Sequence, residues 1–218
     1  MDKFKYFLIW LGLIVFYFFA ELLTPAILNV TNIKNSYIMN ISLLLADIII
    51  AGILIFIYKK DFKKDYQNLN KSFKNLFFTT IKVWLLGLVF MIVINNIINL
   101  FTTNISSNES INRVVLSELT IYAIPTMVII GPICEEILFR LSFKKIFKND
   151  ILYIILSGIV FGYLHVFGET GLELLYIISY GALGSAFAYL YVKTKNILCP
   201  IMAHIMHNLL CIIIILFI

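Results

Sequence analysis

Long uncharged runs alternate with short clusters of lysine along this chain. Apolar stretches lie near 6–24, 37–58, 76–100, 116–143, 150–168, 172–192 and 197–218. Each approaches the roughly 20 residues that a helix needs to cross a hydrocarbon core. The pattern predicts an all-α, polytopic transmembrane helical bundle of about seven spans, within a range of six to eight. Residues 1–218 then form a single membrane-embedded domain, with residues 1–100 as accessory N-terminal spans and about 116–212 as the core that bears the motifs below. The first stretch follows Lys3 and Lys5 as a signal peptide would, but it is longer than a normal signal core and no small-residue cleavage site follows. It reads as a retained span.

Composition agrees with the pattern. The 218 residues are 61% hydrophobic and 13% charged, where a soluble domain carries about 25% charged residues. The net charge of +5 needs no nucleic acid to explain it. With a cytoplasmic N-terminus, 13 of the 17 Lys and Arg residues fall in inner segments, Lys34 and Arg113 fall outside, and Lys82 and Arg140 lie within spans. That bias predicts the orientation and a multi-pass protein of a bacterial plasma membrane. Residues 59–74 are either a basic amphipathic segment on the inner leaflet or a solvated loop. Cys134, Cys199 and Cys211 all sit in apolar runs, which suits small buried residues better than disulfides.

Against this background a few polar residues stand out. Glu135, Glu136 and Arg140 follow an uncharged run from Ile121 to Ile133. Ionisable groups at such depth are expensive unless paired or hydrated, so they mark a functional site. Glu136 and Arg140 are four apart and share a helix face, while Glu135 is rotated away by roughly 100°. One glutamate is thus expected to be braced by the arginine and the other left for chemistry. Pro132 should bend this span and free a carbonyl, with Pro125 adding a second break, whereas Pro200 sits harmlessly near the start of the last helix. Non-ideal backbone at that depth lines cavities.

The three histidines lie in the last three spans. His204 and Asn208 are four apart and share a face. At 1.5 Å per residue, Glu135 lies roughly 14–20 Å, His165 ~22 Å and His204 ~14 Å from the inner edge, so helix tilt would let them meet. His207 reads as structural. Glu21 reads as reaching the outer interface. Asp47 is expected to pair with Lys82 or with a polar helix neighbour, and Gly181 with Ser185 marks close helix packing.

The chemistry this set supports is hydrolysis. Glu135 would deprotonate water, a histidine would share that water or bind a metal, and an amide would donate to an oxyanion. Zinc or another divalent ion on Glu135, His165 and His204 is chemically reasonable. There is no H-E-x-x-H helix, no Gly-x-Ser-Gly nucleophile and no pair of membrane aspartates.

Three patterns, Glu135-Glu136…Arg140, Phe161…His165 and His204…Asn208, occur in that order. Together they resemble the E-E-x-x-x-R, F-x-x-x-H and H-x-x-x-N signatures of the CPBP intramembrane proteases, also called the CAAX-protease or Abi family. The resemblance covers roughly Pro132 to Asn208. It implies membrane-embedded proteolysis of a membrane-bound peptide, propeptide or lipidated protein, of metallo- or glutamate type. Glu135 would activate water, with His165 and His204 around it, Asn208 on the oxyanion and Arg140 bracing Glu136. A non-catalytic membrane partner, as in bacteriocin self-immunity or signalling, is the alternative on the same scaffold.

Overall fold

The computed structural model describes residues 3–31, 35–102, 107–118 and 120–217. Lys34, assigned above to an outer segment, lies outside them. Among the described residues all regular structure is helical. The helices are α1 (Lys3–Val30), α2 (Ser36–Ile57), α3 (Lys59–Ile98), α4 (Ser107–Glu118), α5 (Thr120–Pro125), α6 (Gly131–Glu136), α7 (Asp150–His165), α8 (Tyr176–Thr194) and α9 (Leu198–Phe217).

Among the described residues, six helical stretches are long and apolar enough to cross a membrane: 3–30, 37–57, 59–98, 122–142, 171–194 and 198–217. The expected fifth span is α7, a shorter apolar helix of 16 residues. At 1.5 Å per residue it is about 24 Å long, less than the ~30 Å core. It stops where the chain turns through Gly168 (φ +92°) and Gly171 (φ +66°), a left-handed backbone that glycine adopts without strain. Apolar side chains face outward, among them Leu22 (72% exposed) and Ile151 (70%). Asn40, Asp47, Thr80, Glu136, Arg140 and His204 are buried inside. This inversion of a soluble protein is what a lipid solvent selects.

The basic segment 59–74 is neither loop nor separate element but the first part of α3, with non-helical backbone at Ser72 (φ −132°, ψ 25°). Its inner face is tied to the bundle. Asp65 accepts from Ile197 N–H at 2.8 Å, Asn196 Nδ2 donates to Asp65 O at 2.8 Å, and Lys145 pairs with Asp61 at 3.2 Å. The segments predicted to be cytoplasmic therefore meet at one end of the bundle.

The expected fourth span is broken as its prolines predict. After α5 ends at Pro125 the chain runs as a π-helix over Thr126–Ile130, regains α geometry in α6, and widens again into a π-helix over Ile137–Ser142. Such widening leaves carbonyls to be satisfied from neighbours. Trp10 Nε1 donates to Leu138 O (3.1 Å) and Ser157 Oγ to Phe139 O (2.9 Å). The same segment is the centre of the largest apolar core, where Cys134, Ile137, Leu138 and Phe139 pack with Leu54 of α2, Phe161 of α7 and Ile201 of α9.

Helices α7 and α8 pack very closely. A Cβ on Gly162 would stand 2.5 Å from Ile177 O, and one on Gly158 would strike Ser185 Oγ and lie 2.7 Å from Gly181 O. Gly181 and Ser185 thus mark close packing, as expected. Asp47 accepts a hydrogen bond from Thr126 Oγ1 at 3.0 Å. Its partner is this polar neighbour at the head of the first π segment and not Lys82.

Candidate active site

Glu135 and Glu136 end α6, Arg140 follows in the second π segment, His165 closes α7, and His204 and Asn208 lie on α9. Glu136 and Arg140 are both fully buried, with Glu136 Oε2 3.1 Å from Arg140 Nε. The angle is not that of a hydrogen bond, so the attraction is Coulombic. Arg140 also donates from Nη2 to Gly184 O (3.4 Å) and lies over the ring of Phe161 at 4.6 Å. The predicted brace is present.

Glu136 has a second partner that its sequence position did not suggest. Its Oε1 lies 2.9 Å from Nδ1 of His204. A carboxylate there requires the hydrogen on Nδ1, which leaves Nε2 of the neutral ring with its lone pair. His165 is set the same way, because its Nδ1 lies 2.9 Å from the Phe161 carbonyl. Phe161 is the shared wall: its ring centroid is 4.3 Å from that of His165 and 5.7 Å from that of His204. Tyr180 stacks on the other side of His165 at 4.8 Å. Both imidazoles are thereby fixed in orientation.

Glu135, His165, His204 and Asn208 all line one cavity of about 420 Å³. Glu135 Oε2 is buried and takes no hydrogen bond from the protein. Glu136 is held twice, by Arg140 and His204, whereas this oxygen of Glu135 has no partner within the protein. Asn208 donates one amide hydrogen to Met127 O at 2.7 Å and still borders the cavity.

The donor types suit a divalent ion. As placed, however, no three His, Cys, Asp or Glu side chains among the described residues are gathered to hold one. The described positions of Glu135, His165 and His204 do not fit a metal set.

Sequence reasoning missed part of the wall. Glu21 lines the cavity and so does not simply reach the outer interface, because α1 continues nine residues past it to Val30. Its charge within an apolar run was the available signal. Asn95 of α3 and Asn112 of α4 had none, since asparagine is frequent throughout the chain. His207, read as structural, also borders the cavity, with Nε2 3.6 Å from Cys211 Sγ.

Comparison with known proteins finds two matches. Residues 117–210 match the family model described as type II CAAX prenyl endopeptidase Rce1-like. The chain is 37% identical over 95 residues to YdiL of Bacillus subtilis (strain 168), which is provisionally described as a membrane peptidase. That match takes in 40% of this chain and 36% of the relative, so the chain spans little more than a third of that protein's length. No solved structure matches significantly. Residues 117–210, which carry the three motifs that meet at this cavity, are thus similar to the CAAX-protease (CPBP) family.

Proposed function

We propose that the protein is an intramembrane endopeptidase that hydrolyses a peptide bond of a small membrane-associated peptide, propeptide or lipidated protein. One observation carries the reading: Glu135, with an unpartnered carboxylate oxygen, shares a cavity at membrane depth with two oriented imidazoles and an amide. Glu135 takes a proton from water, and the hydroxide adds to the scissile carbonyl carbon. The water's other hydrogen is donated to Nε2 of one of the two imidazoles, His165 or His204, which holds it in place. The second amide hydrogen of Asn208 is available to the oxyanion. Collapse of the tetrahedral intermediate breaks the C–N bond, and the proton on Glu135 passes to the leaving amine. The Glu136–Arg140 pair takes no proton; it holds His204. No step needs a metal. The protein works in a bacterial plasma membrane with its N-terminus in the cytoplasm.

The test compares wild type with Glu135→Gln and His165→Ala at matched membrane levels, using tagged membrane propeptides and lipidated C-terminal peptides as reporters. Loss of processing in both folded variants supports hydrolysis. Full biological activity in both would replace it with the scaffold reading, a non-catalytic immunity or signalling partner.

A further inference from the structure

The family match begins at residue 117, yet six of the 22 residues that line the cavity come from before it. Tyr17 and Glu21 enter from α1, Met91 and Asn95 from α3, and Asn112 and Leu116 from α4. Glu21 and Glu135 are the acidic residues of the lining, and none of the lining residues is Lys or Arg. Among the described residues no lysine or arginine pairs with Glu21. Asp47, 5% exposed, stands within Coulombic reach of it and adds charge of the same sign. Carboxylates that crowd together in a low-dielectric site favour a cation.

Unmet hydrogen bonds point the same way. Two of the buried atoms without a protein partner in this lining, Glu135 Oε2 and Asn95 Oδ1, accept and cannot donate. His207, 6% exposed and bordering the same cavity, has no partner at Nδ1 and can match a donor or an acceptor by its tautomer. Buried acceptors in this number call for a donor-rich ligand.

We propose that Glu21 is a specificity residue of this cavity, the counter-charge for a lysine or arginine side chain that the substrate carries beside its scissile bond, with Asn95 accepting from the same group. The inference rests on the cavity being the peptide site proposed above. Glu135 is engaged with water in that reading, which leaves Glu21 for the cation. The residue comes from the accessory helices, so it sets which peptide is taken and not how it is cut.

The experiment measures binding without turnover. Dye-labelled Leu-Leu-Xaa-Leu-Leu peptides with Lys, Gln or Glu at Xaa are titrated by fluorescence anisotropy onto the full chain in detergent micelles, against empty micelles. The Lys peptide should bind about tenfold more tightly than the Gln peptide, a preference that high salt weakens. Glu21→Gln should bring the two within about twofold, and Glu21→Lys should favour the Glu peptide. Asn95→Leu, which keeps the carboxylates, should weaken the Lys peptide alone. Equal binding of the three peptides to wild type overturns the proposal, as does a Lys preference that survives Glu21→Gln. The wild-type comparison decides even where a variant does not fold. Because no cleavage is read, failure of hydrolysis in the reporter assay and failure here are separate results. With a cleavable substrate, Glu21→Gln should raise KM for Lys substrates more than for Gln substrates.

Discussion

Asn208 stands in for an amide that Pro132 does not have. In the first π segment Gly131 N–H donates to Thr126 O, five residues back. In that register the next donor would be residue 132 to Met127 O, and proline carries no N–H. The Asn208 side chain donates to Met127 O instead, at 2.7 Å across two helices. The last motif thus repairs the break that precedes the first, and the repair lies three residues before Glu135.

This relationship predicts non-additive stability. Asn208→Ala alone should leave Met127 O without its donor and destabilise by about 1–3 kcal/mol. In a Pro132→Ala background the restored amide can serve that carbonyl, so the same substitution should be nearly neutral there. Thermal unfolding of the four proteins in detergent measures the coupling. Additive losses would show that Asn208 does not stand in for the amide.

The Glu136–Arg140–His204 chain predicts a stability and activity split. Arg140→Met leaves a buried carboxylate without its main counter-charge and should destabilise by about 3–5 kcal/mol, enough to reduce accumulation in the membrane. Glu136→Met with Arg140→Met removes both charges and should recover much of that loss. It should stay inactive, because nothing then holds His204 Nδ1. Recovery of cleavage along with stability would mean that the pair does not position the imidazole.

Glu135→Gln should lower the rate of cleavage by about 10²–10⁴-fold with little change in Tm, since its Oε2 makes no hydrogen bond within the protein. Cleavage by wild type should persist in the presence of EDTA or 1,10-phenanthroline. Loss under chelation with rescue by zinc would replace glutamate-activated water with a metal mechanism and would require Glu135, His165 and His204 to gather more closely than they do here.

Gly162→Ala tests the α7–α8 contact. Its Cβ would meet backbone at Ile177 O, which cannot swing aside as a side chain can. A loss of about 1–3 kcal/mol is expected, with reduced activity because His165 lies three residues on. Gly52→Ala, where the new Cβ has nothing within 4 Å, is the matched control and should be silent.

The sequence by itself determined the helical membrane class, because hydropathy and lysine bias act locally along the chain. It also determined the break around Pro125 and Pro132 and the Glu136–Arg140 pair, since proline chemistry and four-residue spacing are properties of one helix. Only the tertiary structure decided what crosses between helices. His204 meets Glu136 from 68 residues away, and Asn208 meets Met127 from 81. Glu21 looked like an interface residue and proved to be cavity wall, and Asp47 found Thr126 and not Lys82. Tilt, stagger and rotation set those pairings. They follow from close contacts such as Gly162 on Ile177 and from the π-helical widening of the fourth span, neither of which leaves a periodic trace in hydropathy.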